Sequence, residues 1–195
     1  MVVGIAGASG SGKDSVAAWL IQHAGFQRIA FADALKDELR SRFRRTLLRI
    51  SGFVGPYVDA PLGPDEERHL MQPPSEEYRL DWLLQEKPPM VRELLQEFGT
   101  EVRRADDPDY WLRAWTQRCV DVPRVVCPDV RFPNEACLIT ARGGRLLRVD
   151  RPGLGVDTHA SETSLSTWTR WDAVFTNLGT REDLAAQVAW WWEHP

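Results

Sequence analysis

Gly7-Ala8-Ser9-Gly10-Ser11-Gly12-Lys13 is spaced as GxxxxGK, and this is the segment of the chain best suited to chemistry. Glycines at these positions let the backbone curl so that successive N–H groups point inward at one anion. A helix starting at Lys13 adds partial positive charge, and the Lys13 ammonium neutralises the outermost phosphates of a polyphosphate. Gly7, Ser9, Gly10, Ser11, Gly12 and Lys13 are therefore the candidate triphosphate cradle. The motif departs from its commonest form at the next position, where Asp14 replaces a hydroxyl residue and Ser15 follows. Asp14 is open to two readings, a water-mediated metal contact or a first-turn acid on the helix dipole.

Asp129 follows the apolar run Val125-Val126-Cys127, at the strand end where open parallel sheets bind ligands, and Arg131 stands two residues on. A carboxylate there can orient a metal-bound water or an acceptor, and the arginine can reach a phosphate. Arg151 follows the run to Val149-Asp150 in the same way and is a candidate clamp on the transferring group. Arg92, Arg103 and Arg104, with Gln96, mark a helix whose polar face reads equally well as solvated surface. Arg40, Arg42, Arg44, Arg45 and Arg49 form a basic stretch expected on an exposed helix face. The indoles of Trp190, Trp191 and Trp192 suit packing better than base stacking.

Elements must place these groups. The apolar run Val2–Ala6, bounded by glycine, predicts a buried central strand, and helical spacing from Lys13 predicts a helix stopped by Gly25. Strands follow at 27–31, 124–127, 145–149 and 173–175. Helices follow at 34–50, 90–104, 108–120, 132–142 and 181–192. The alternation implies an α/β fold with a mostly parallel five-stranded sheet flanked by helices. Residues 52–90, rich in proline and with little periodicity except around Tyr78 to Leu84, stand apart as an inserted lobe or mobile segment.

Composition narrows the classes. A chain of 195 residues fits one domain with a full core, and 43% hydrophobic with 27% charged residues is ordinary for a globular protein. A net charge of -4 argues against a nucleic-acid binder. Cys119, Cys127 and Cys137 are odd in number without CxxC spacing, which disfavours disulfides and zinc, and apolar surroundings suggest core positions for Cys127 and Cys137. The four histidines show no ligand spacing. No long apolar run or leader is evident, so no membrane partner is expected and the cytoplasm is the expected compartment.

Several segments together resemble the phage deoxynucleoside monophosphate kinase family. They are the GKDS loop, Phe31-Ala32-Asp33-Ala34-Leu35-Lys36, Arg92 to Glu101, Asp129-Val130-Arg131-Phe132-Pro133-Asn134-Glu135, His159-Ala160-Ser161-Glu162 and Asn177-Leu178-Gly179-Thr180. The resemblance implies a P-loop NTPase fold, ATP as donor, Mg2+ as cofactor and a deoxynucleoside monophosphate as acceptor. It further implies that Lys13, Asp129, Arg131 and Arg151 surround the moving phosphoryl group, with Asp14, Ser15 and Asp129 facing the metal mostly through water. Asp33, Lys36, Arg92, Gln96, Arg103 and Trp111 would line the acceptor pocket. His159 and Glu162 would belong, with Arg151, to a lid-like segment over 151–168 that excludes water. Asn177 and Gly179 resemble a loop that holds the adenine. Ala34 departs from the family, which often has proline there. Phosphomevalonate and dephospho-coenzyme A kinases share parts of the pattern, so those acceptors, or a nucleotide-driven switch without an acceptor, remain alternatives. Oligomeric state is not legible, although small kinases of this type are often homodimers.

Overall fold

The computed structural model describes residues 1–54, 75–154 and 163–194. Five strands form one sheet: β1 (Val2–Ala6), β2 (Gln27–Arg28), β3 (Val125–Cys127), β4 (Arg145–Asp150) and β5 (Ala173–Thr176), in the order β2-β3-β1-β4-β5. Every pairing is parallel, with Gly4 opposite Cys127 on one side and Leu146 on the other. Parallel strands need crossovers, and the apolar strands β1 and β3, buried on both faces, are what helices on both sides produce. This is an α/β sheet of the P-loop NTPase type.

The chain divides into two compact units. The first comprises Met1–Ala34 and Arg103–Pro195, and the second Leu35–Val102. Within the first, one face of the sheet packs Val16, Ala17 and Leu20 of α1 (Lys13–Ala24) and Leu184, Val188 and Trp191 of α7 (Arg181–Glu193) against Val3, Ile5, Leu147 and Phe175. The opposite face carries Trp115 and Cys119, from α5 (Tyr110–Arg118) and its C-cap, with Ala136 and Ile139 of α6 (Pro133–Ala141). Trp115 has no exposure, and its Nε1 donates to Ile29 O at 2.9 Å, which satisfies the indole inside the core. Of the terminal tryptophans, Trp191 is core, Trp192 packs beside it, and Trp190 is 64% exposed.

The second unit is helical. It holds most of α2 (Phe31–Val54), then α3 (Glu76–Glu86), α4 (Pro89–Gln96) and most of a π-helical stretch, Glu97–Arg104. Its buried residues include Leu39, Leu47, Leu80, Leu83, Val91 and Leu95, and Phe43 meets Phe98 edge-on at 5.4 Å. Arg40 pairs with Glu77 and Asp81, and Arg44 with Glu76 and Glu77, so the basic stretch of α2 is answered by acids of α3.

Several expectations need correction. The second strand stops at Arg28 instead of residue 31, because Phe31 opens α2 where the Asp129 carboxylate accepts its N–H. That helix runs from Phe31 to Val54, beyond the expected 34–50 at both ends. It also bends at Phe43 (φ -112°, ψ 19°). Residues 90–104 are not one α-helix, since the i→i+4 pattern gives way to a π-helix at Glu97. Within the proline-rich insert, 75–86 is an orderly capped helix, with Ser75 Oγ accepting from Tyr78 N, while 55–74 lies outside the described residues. Cys137 is exposed and not core, whereas Cys119 is buried.

Candidate active site

The glycine loop joins β1 to α1 at the carboxyl edge of the sheet's central strand. Gly12 is the N-cap of α1 at φ 106°, a conformation that L side chains rarely adopt, and no side chain caps this helix start. A Cβ on Gly7 would lie 2.6 Å from both Ser11 Oγ and Val149 O, so the loop closes on itself only with glycine there. Ser11 has no exposure, and its hydroxyl finds no hydrogen-bond partner among the described residues. Lys13 is 8% exposed, and its Nζ donates to Ala8 O at 3.2 Å across the loop. A buried orphan hydroxyl, an uncapped helix start and a buried ammonium suit a polyanion, which would supply oxygens to all three.

Two later strand ends hold this loop. Asn177, after β5, donates from Nδ2 to Ser11 O at 2.8 Å, and its own N–H reaches Asp150 O at 2.8 Å. Its side chain thus buttresses the cradle. Arg151, exposed at the end of β4, donates from Nη1 to Gly10 O at 3.4 Å, which brings its guanidinium to the loop as its position in sequence suggested. A Cβ on Gly179 would displace the Asp183 carboxylate, which caps α7 by accepting from Thr180 N.

Asp129, after β3, has its carboxylate engaged. Oδ1 accepts from Phe31 N at 2.9 Å and from the Cys127 thiol at 3.2 Å, while Oδ2 accepts from Ala32 N at 2.8 Å. Asp129 therefore anchors the positive end of α2. A carboxylate offers about four acceptor positions, so Oδ2 keeps a direction for a further donor or a metal-bound water. Burial pushes the Cys127 thiol well above its ordinary range, so it stays protonated and serves as a donor. Asp33 sits beside this anchor. Its carboxylate accepts from Ala30 N at 2.8 Å and pairs with Arg28 at 3.1 Å.

Arg28 was not anticipated. Partial burial depresses its pKa, but the charges of Asp33, Asp129 and Asp14 outweigh this and raise it. Its direct partner is Asp33, which accepts from Nη1 on both carboxylate oxygens at 3.1 and 3.2 Å. A lone arginine in a short strand gives no signal for such a place. A second unanticipated feature is Glu135, 2% exposed and ion-paired to Arg104. Its Oε2 accepts from Arg131 N at 2.8 Å and Phe132 N at 3.1 Å. Burial pushes Glu135 up to about 7 against the opposing pull of Arg104.

Among the acceptor-side candidates, Asp33, Arg103 and Trp111 belong to the first unit, where Trp111 is buried and Arg103 lies 4.9 Å over the Tyr110 ring. Lys36, Arg92 and Gln96 belong to the second, with Arg92 exposed and the other two half-buried. His159 and Glu162 lie outside the described residues, as does most of the first half of the lid-like segment. Asp14 is exposed and Ser15 half-buried in the first turn of α1. Among the described residues no group of three His, Cys, Asp or Glu could hold a metal by itself. No described helix is long and apolar enough to cross a membrane.

A GxxxxGK loop between the central strand of a parallel sheet and the helix that follows it makes this a P-loop fold. No family model matches the chain. It is 30% identical over 207 residues to a protein of Acanthamoeba polyphaga mimivirus named "Putative deoxynucleotide monophosphate kinase", across 96% of this chain and 94% of the relative. The chain belongs to the family of that viral protein, and so to the kinases. Among solved structures it is similar to TT1252 from Thermus thermophilus, at 22% identity and TM-score 0.41 over 100% of this chain and 98% of that one. A sugar kinase from Janibacter sp. HTCC2649 is similar at 17% identity and TM-score 0.42, over 98% and 94%.

Proposed function

We propose that the chain transfers the γ-phosphoryl group of ATP to a deoxynucleoside monophosphate, yielding the deoxynucleoside diphosphate and ADP. The observation that carries the donor half is the orphaned, fully buried Ser11 hydroxyl inside a glycine loop closed by Lys13. The acceptor half rests on the name of the viral relative and on the motif set. An oxygen of the acceptor monophosphate forms the new bond to the γ-phosphorus as the bond to the β–γ bridging oxygen breaks. That phosphate is already a nucleophile, so the protein's task is positioning and charge neutralisation, and no strong base is required.

In this reading the loop amides, Ser11 and Lys13 bind the donor phosphates, and Asn177 holds the loop in shape. Arg151 and Arg131 approach the transferring group, and Asp129 fixes the start of α2 while orienting one metal-bound water. Asp33, Lys36, Arg92, Gln96, Arg103 and Trp111 are acceptor contacts by motif, with His159 and Glu162 completing the lid-like segment. Magnesium, when bound, neutralises charge on the donor phosphates; Asp14, Ser15 and Asp129 are the residues that would face it.

The test is to incubate the protein with ATP, magnesium and, separately, each deoxynucleoside monophosphate, phosphomevalonate or dephospho-coenzyme A, and to resolve the products. The expected outcome is a new diphosphate with at least one deoxynucleotide. A product with only another acceptor would move the substrate, and ATP loss independent of any acceptor would make the protein a nucleotide-driven switch.

A further inference from the structure

The turn from Asp129 to Glu135 is fastened at both ends. At its start, Asp129 holds the amides of Phe31 and Ala32. At its end, Glu135 takes Arg104 Nη2 on Oε1 and the consecutive amides of Arg131 and Phe132 on Oε2. Arg104 is fixed in turn. Its Cζ lies 3.9 Å over the Phe132 ring, and its Nη1 reaches Asn134 Oδ1 and Pro108 O, both at 3.4 Å. Asn134 Nδ2 donates to Pro108 O at 3.0 Å and Asp109 Oδ1 at 3.1 Å, closing the network.

Stability alone does not account for such a pair. The side chains of Glu135 and Arg104 are 2% and 11% exposed. Removing two charges from water costs so much that apolar replacement of a buried pair is often neutral or stabilising. What the buried pair adds is direction. One carboxylate aligns two successive amides, and one guanidinium fork sets its distance from the end of the π-helix, where Arg103 is the adjacent residue. Interruptions of this kind in helices are frequent at functional sites.

We infer that Arg104 and Glu135 are positioning residues that hold Arg131 in its place for phosphoryl transfer and set it in register with Arg103. The inference rests on the kinase reading above. Neither side chain touches the reacting groups; each acts through the backbone of Arg131.

A double-mutant cycle tests this. Steady-state kinetics with ATP, magnesium and a deoxynucleoside monophosphate that the wild type phosphorylates are measured for wild type, Arg104→Met, Arg131→Ala and the double variant. Affinity for a fluorescent ATP analogue and thermal melts are followed alongside. Arg104→Met is expected to lower kcat about 10²-fold, the cost of misplacing a group by about 1 Å, while analogue affinity is unchanged. Arg131→Ala should then cost about tenfold less in the Arg104→Met background than in wild type. An equal cost in both backgrounds means Arg104 acts on the fold alone and overturns the inference. If Arg104→Met does not fold, Arg104→Lys, which keeps the charge but loses the planar fork, carries the same cycle. A wild type that binds the analogue yet phosphorylates no acceptor overturns the kinase reading and this inference together. An active wild type with an additive cycle overturns only the inference.

Discussion

The strand-bearing unit and the helical unit of this protein are held by different forces. Around the glycine loop, backbone does the holding: Gly12 sits at a positive φ, Gly7 admits no Cβ, and Asn177 and Arg151 each reach the loop through its carbonyls. In Leu35–Val102 the polar fastening is by side chains at the surface, with Arg40 and Arg44 of α2 against Glu76, Glu77 and Asp81 of α3. A loop built from backbone tolerates little change, whereas exposed ion pairs, screened by solvent, can be exchanged at small cost. Change is therefore expected to cost more at the glycine loop than among the exposed ion pairs of the helical unit.

The comparison breaks most visibly at Lys13. Lys13→Ala should lower turnover by at least about 10²–10³-fold, the scale for loss of one charge-stabilising donor, with an unaltered circular dichroism spectrum. Retention of wild-type turnover would remove the loop from the chemistry.

Gly12→Ala should be next in size. A Cβ there would lie 2.6 Å from Asn177 Nδ2 at a strained φ of 106°. The expected cost is about 1–3 kcal/mol in denaturant unfolding, together with weakened binding of an ATP analogue. Normal binding and stability would show that the loop accepts a side chain.

Glu135 gives a pH-dependent effect. Its folded value of about 7 exceeds the ordinary 4.5, so between these values the folded state binds more protons than the unfolded one. The stabilisation is complete below about pH 4.5 and is lost as pH rises through 7. The stability of wild type relative to Glu135→Gln should therefore fall between pH 5 and pH 8, by up to on the order of 3 kcal/mol. A gap that widens with pH would mean that Arg104 keeps Glu135 ionised.

The smallest effect belongs to the helical unit. Arg44→Ala removes exposed pairs with Glu76 and Glu77, which hold the carboxyl group of Glu77 below its usual range. Melting temperature and analogue affinity should stay at their wild-type values within error. A large drop would erase the contrast between the two units.

Legibility in the sequence followed the same division. The strands at 2–6 and 125–127, the helix at 13–24 with its Gly25 stop, and the loop between them could all be read, because contiguous apolar runs and glycines encode them locally. That Asp129 and Arg151 follow the ends of strands was legible too. Hidden were the features made by partners remote in sequence. Phe31 starts a helix because Asp129, 98 residues on, accepts its N–H. Glu135 is held by an arginine 31 residues earlier. The π-helix at Glu97 was likewise invisible, since α4 and the stretch after it share one continuous apolar periodicity through Val91, Leu95 and Phe98.

A crystal structure of the full chain with a non-hydrolysable ATP analogue and magnesium tests the central claim most directly. The account predicts phosphate oxygens within hydrogen-bonding distance of the loop amides, of Ser11 Oγ and of Lys13 Nζ, with the hydroxyl no longer orphaned. Phosphates bound away from Lys13, with Ser11 still unpartnered, would contradict it.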